Sequence, residues 1–156
     1  MSPRSLAGAA LVTGSVASLT TFVGLAMAAE VTGPAPLRPI NATSHWLNGD
    51  FAGLFAGADA RRTGVGLATN HAACLFWALA FTAWQRRRPA PTPGALMRDA
   101  AVMAAIAAAV DYGATPKRFT PGWELVLPKR GMALAYAALA VGFAAGAALD
   151  RPGQRS

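Results

Sequence analysis

The stretch TGVGLATNHAACLFWALAFTAWQ, residues 63–85, runs for 23 residues without a Lys, Arg, Asp or Glu. A helix needs roughly 20 mostly apolar residues to cross the hydrocarbon core of a bilayer, so this run predicts a membrane-spanning helix. Working outward, residues 5–29 form an uncharged run of 25 and residues 131–149 one of 19. These predict two further spans. A fourth is less plain, because only 11 residues separate Asp99 from Asp111. At about 1.5 Å per residue they cover roughly 16 Å, about half of the ~30 Å core. The helix crosses only if it runs past both carboxylates, over residues 94–114. Arg98 and Asp99 then sit among headgroups, and Asp111 lies near the opposite boundary.

Composition agrees. Hydrophobic residues make up 54% of the 156 and charged residues 13%, against about 25% charged in a soluble domain. Abundant alanine and glycine suit helices packed closely in lipid. The expected fold is all-α: one four-transmembrane-helix bundle with a short interfacial helix in the first loop. The formal net charge of +7 does not point to nucleic acid, because the basic residues flank apolar runs and no aromatic–basic platform is present. A lone Cys74 excludes an intramolecular disulfide and a CxxC motif. The first span also resembles a secretory leader, with Arg4 before an apolar run and small residues at Ala26, Ala28 and Ala29. Its length exceeds the 7–15 residues of an ordinary leader core, so a retained anchor is expected.

The short segment 85–99 carries Arg86, Arg87, Arg88 and Arg98. The positive-inside rule places it in the cytoplasm, and with four spans both termini follow. The expected location is a bacterial inner membrane. The total basic count does not help: seven residues, with Arg4, Arg151 and Arg155 among them, fall on the cytoplasmic side and seven on the other.

Nearly every polar residue of chemical interest falls on the face of loops one and three. Loop one is too long for a bare connection, and Asn41 or Thr43 is placed to cap a short helix in it. Trp46, Phe51, Leu54 and Phe55 would give that helix an apolar side. Ser44, His45, Asn48 and Asp50 add polar groups, and Asn70 and His71 follow early in the second span. His71 with Cys74, Ala78 and Thr82 reads as one small, polar stripe facing other helices. Asp111 needs a partner so close to lipid, and Lys117 and Arg118 are expected to supply an ion pair. The segment from Asp111 through Tyr112, Lys117, Arg118 and Trp123 to Glu124 is the densest constellation. Its paired cations suit a phosphate, a lipid headgroup or a carboxylate.

His45-Trp46-Leu47-Asn48-Gly49-Asp50, the run from Thr63 to Ala78 and the Asp111–Glu124 segment together resemble a family of small four-helix bacterial membrane proteins. That family carries no assigned activity. The resemblance implies a membrane protein; some members have a second histidine where this chain has Asn70, so a two-histidine ligand pair is not implied here.

No Walker loop, dinucleotide fingerprint, G-x-S-x-G or HExxH occurs, and no cofactor is expected. The leading expectation is a non-catalytic protein: a subunit or partner of a larger membrane assembly, or a lipid-contacting factor. Self-association through Ala138, Gly142 and Gly146, or packing of that face within the bundle, fits the small-residue spacing. The alternative is a membrane enzyme, or a protein binding a divalent metal or haem, with His45, His71 and Asp111 as catalytic or ligand candidates beneath loop three. In it Lys117 and Arg118 clamp an anion, while Asn41, Trp46, Asp50, Asn70, Tyr112, Trp123 and Glu124 support the site. A transporter is less favoured, since four spans make a thin pathway and inverted halves are not evident.

Overall fold

The computed structural model describes residues 4–150; Arg151 and Arg155 lie outside the described residues. Among these there are six α-helices and no strand: α1 (Leu6–Thr32), α2 (Arg38–Ala42), α3 (His45–Asn48), α4 (Val65–Arg87), α5 (Pro93–Gly113) and α6 (Lys129–Asp150). Four of them, α1, α5, α6 and α4 with the irregular turn that precedes it, are long and apolar enough to cross a membrane. The chain is a multi-pass membrane protein of four spanning helices.

Local chemistry sets the ends. Ser5 caps α1 by accepting the Gly8 N–H at 3.0 Å, satisfying one donor that the first turn leaves free. α1 runs past Glu30 and stops where Gly33, at φ +109°, returns its N–H to the Ala29 carbonyl. Thr92 caps α5, with Pro93 in the first turn. The 21 residues of α5 reach about 31 Å, so the short span crosses by passing both carboxylates.

Helix order follows from small residues. α1 lies between α4 and α6, and α5 packs on the far side of α6 while touching α4 little. Ala138, Gly142 and Gly146 all face α1 within the same chain. A Cβ at Gly142 would overlap Ala17 and Thr20, and one at Gly146 would come 2.5 Å from the Thr13 Cα. Backbones this close replace hydrophobic driving force with dispersion contacts, the usual basis of association in lipid. Gly14 plays the same part against Cys74 and Leu75 of α4. Leu19, Val23, Met27, Phe76, Ile106 and Val141 are exposed and form the lipid-facing surface.

The arginine-loop face is closed by a few polar ties. Arg4 pairs with Asp150 at 3.2 Å, and Arg86 donates to the Arg4 carbonyl at 2.7 Å. Asp99 accepts from Arg98 at 2.9 Å and from Gln85 at 3.0 Å, joining the end of α4 to the start of α5. Beyond this tie α4 and α5 touch little.

Candidate functional site

Loop one, expected to hold one short helix, folds as two, α2 and α3, followed by tight turns. Asn41 caps neither. It is fully buried, its amide donating to the carbonyls of Phe55 at 2.8 Å and Gly57 at 3.1 Å. Its oxygen accepts from the Thr63 hydroxyl at 2.6 Å. One side chain thus satisfies a loop whose backbone would otherwise be buried without partners. Asn48 works likewise, donating to the Arg61 carbonyl at 2.8 Å and accepting from Arg61 Nε at 2.9 Å. Asp59 caps the irregular turn entering α4 by accepting the Arg62 N–H at 2.7 Å. Arg62 also stacks over Phe55, 3.5 Å from the ring centre.

Loop three is clamped onto this platform. Trp123 donates its indole N–H to the Thr43 hydroxyl at 3.1 Å. His45 Nε2 donates to the Thr120 carbonyl at 3.0 Å, and its Nδ1 lies 3.3 Å from Asp50. Thr120 in turn donates to Glu124 at 2.5 Å. Gly122 makes the clamp possible: it has φ +79°, and a Cβ there would strike the Ala42 carbonyl and come 2.8 Å from His45. A glycine is required on both grounds.

Beneath the clamp lies a cavity of about 330 Å³, walled by α4, α5 and α6 with Thr21 of α1. Its lining is mainly aromatic and apolar: Trp46, Trp77, Phe119, Trp123 and Tyr136. Trp46 is oriented by its N–H donating to Thr69 at 3.1 Å, and the rings of Trp123 and Tyr136 pack 5.2 Å apart. The polar lining comprises Asp111, Asn70, Tyr136 and five further side chains bearing a hydroxyl or thiol: Thr21, Thr43, Thr69, Cys74 and Thr120.

Asp111 is not paired as expected. Its partner is Tyr136 on α6, whose hydroxyl donates to Oδ2 at 2.7 Å. Among the described residues neither Lys117 nor Arg118 forms a salt bridge. Helix geometry explains this: Thr115 folds back on the last turn of α5, its N–H and its hydroxyl both donating to the Val110 carbonyl. The two cations then line a wider polar cleft with His45, Asp50, Tyr112 and Glu124. Trp46 and Thr120 line both spaces, so cleft and cavity adjoin.

The expected constellation is therefore divided. Asp111 and Asn70 face the cavity and His45 faces the cleft, while His71 lines neither. His71 is half-buried, one position off the buried stripe of Gly66, Asn70, Cys74, Ala78 and Thr82. Asn70 instead reaches α1, donating to the Ser18 hydroxyl at 3.2 Å. Among the described residues no three His, Cys, Asp or Glu side chains gather as metal ligands. Tyr136, Thr21 and Trp77 are site residues that sequence reading missed. Each sits among similar residues in its span, and only the face of its helix that meets the cavity distinguishes it.

No protein-family model, curated protein or solved structure matches the chain.

Proposed function

We propose that this small integral membrane protein is a non-catalytic, lipid-contacting factor that holds a membrane-dissolved amphiphile, alone or as an accessory subunit of a larger assembly. The bacterial inner membrane, with the arginine loop and both termini cytoplasmic, fits its charge pattern. The observation carrying this reading is the aromatic-walled cavity between α4, α5 and α6, at about the lower end of the 300–1,000 Å³ usual for small-molecule sites. Its lid is rigidly held, since Trp123, His45 and Gly122 fix loop three to loop one. α4 and α5 touch little, and in this reading the gap between them is an amphiphile's lateral way in from lipid. Lys117 and Arg118, in the adjoining cleft, suit contact with headgroup phosphates. A binding role is favoured over an enzymatic one because His45 is engaged through Nε2 with the Thr120 carbonyl and lines the cleft, while His71 lines neither space, so no histidine faces the cavity to act as a base.

The test is extraction of the protein purified in mild detergent, followed by mass spectrometry of bound small molecules. A single chemical class is expected with the wild type and none with Ala73→Phe, which fills the cavity from an accessible position on α4. The same extract from both proteins would end the proposal.

A further inference from the structure

The cavity combines two features that together define its occupant. The first is a carboxylate without a cationic partner: Asp111 is served by the Tyr136 hydroxyl, and no salt bridge reaches it among the described residues. The second is the aromatic wall of Trp46, Trp77, Trp123 and Tyr136 around it. A carboxylate withdrawn toward lipid is stabilised most by an opposite charge, and aromatic faces attract cations strongly where water is excluded. An alkyl group suits the apolar walls. A neutral ligand would leave an ionised Asp111 uncompensated, and an anion would be repelled by it.

From this we infer that the cavity binds a small amphiphilic ammonium cation, its charged head between Asp111 and the tryptophan rings and its alkyl part toward the α4–α5 gap. This rests on the ligand-binding reading above and names the ligand class. Head and tail enter from the lipid side, and no covalent step is involved.

The experiment uses the full chain in uncharged maltoside micelles, titrated with dodecyltrimethylammonium, dodecanol and dodecyl sulfate. Intrinsic tryptophan fluorescence is the readout, because three of the four tryptophans line the cavity; Ala73→Phe serves as the blank for partition into micelles. The ammonium is expected to saturate with an affinity about tenfold or more above that of the alcohol, and the sulfate is expected not to bind. Asp111→Asn should bring the ammonium down to the alcohol's affinity and leave the alcohol unchanged. Should that variant misfold, the comparison of the three heads on the wild type still decides. Equal affinity for ammonium and alcohol overturns the cation inference while the cavity remains a ligand site. Preference for the sulfate overturns it also. No saturable binding of any of the three removes both readings.

Discussion

Tyr136, seven residues into α6, donates a 2.7 Å hydrogen bond to Asp111 in the last turn of α5. It joins two spans that otherwise meet through apolar contacts, and it satisfies one oxygen of a carboxylate that lines the cavity. Losing the donor leaves a partly buried carboxylate short of a bond, which costs about 1–3 kcal/mol. Tyr136→Phe should lower stability by that amount in reversible unfolding from mixed micelles. In a double-mutant cycle with Asp111→Asn the coupling should exceed the roughly 0.6 kcal/mol average of interhelical pairs in membranes; additive effects would show that the pair does not hold the helices.

Gly122 is the hinge on which loop three lies flat against loop one. An alanine there adopts a left-handed conformation at about 1–2 kcal/mol and meets the Ala42 carbonyl besides. Gly122→Ala should therefore free the lid, with backbone amide exchange between residues 120 and 127 accelerating roughly 5–30-fold. Gly57→Ala, at a position with open space around it, should leave exchange unchanged.

The α1–α6 seam tolerates no added volume at Gly142. Gly142→Leu should force the helices apart and destabilise the protein by about 1–3 kcal/mol or more, read as a lower melting temperature in detergent. Gly113→Ala, where a Cβ meets nothing within 4 Å, provides the comparison. Equal melting temperatures for the two would contradict the seam.

Asp59 lies just outside the membrane at the entry to α4, and the Arg62 N–H, then its guanidinium, hold its carboxyl below the ordinary aspartate value of 3.8. The folded value is the lower one, so its stabilisation is fully present above 3.8 and fades as pH falls below that value and through the folded one. The melting-temperature gap between wild type and Asp59→Ala should accordingly be constant near neutrality and close on acidification. A gap that persists in acid would mean that the cap acts without its charge.

Topology is open to a direct check. Alkaline phosphatase fused after Arg88 should be inactive, and the same reporter inserted after Gly57 in loop one should be active. The reverse pattern would invert the protein in the membrane and place the cavity at the cytoplasmic surface.

Four spans, and the gathering of polar residues on one side of them, were legible in the sequence alone. Both depend on local run length measured against a fixed external ruler, the bilayer, and consecutive spans must alternate direction. The weak third span was legible for the same reason, since 11 uncharged residues cannot cross and the helix had to continue. What lay beyond the sequence was every relation set by helix rotation and neighbour order. Asp111 meets Tyr136 rather than Lys117 or Arg118, Asn41 holds a loop instead of capping a helix, and His71 stands off the buried stripe that Asn70 occupies. Those outcomes follow from how Gly14, Gly142 and Gly146 seat α4 and α6 on α1 and leave α5 apart from α4. That seating pairs residues far apart in the chain, and the tertiary packing alone decides it, because any face of an apolar helix is equally content in lipid until another helix fits it.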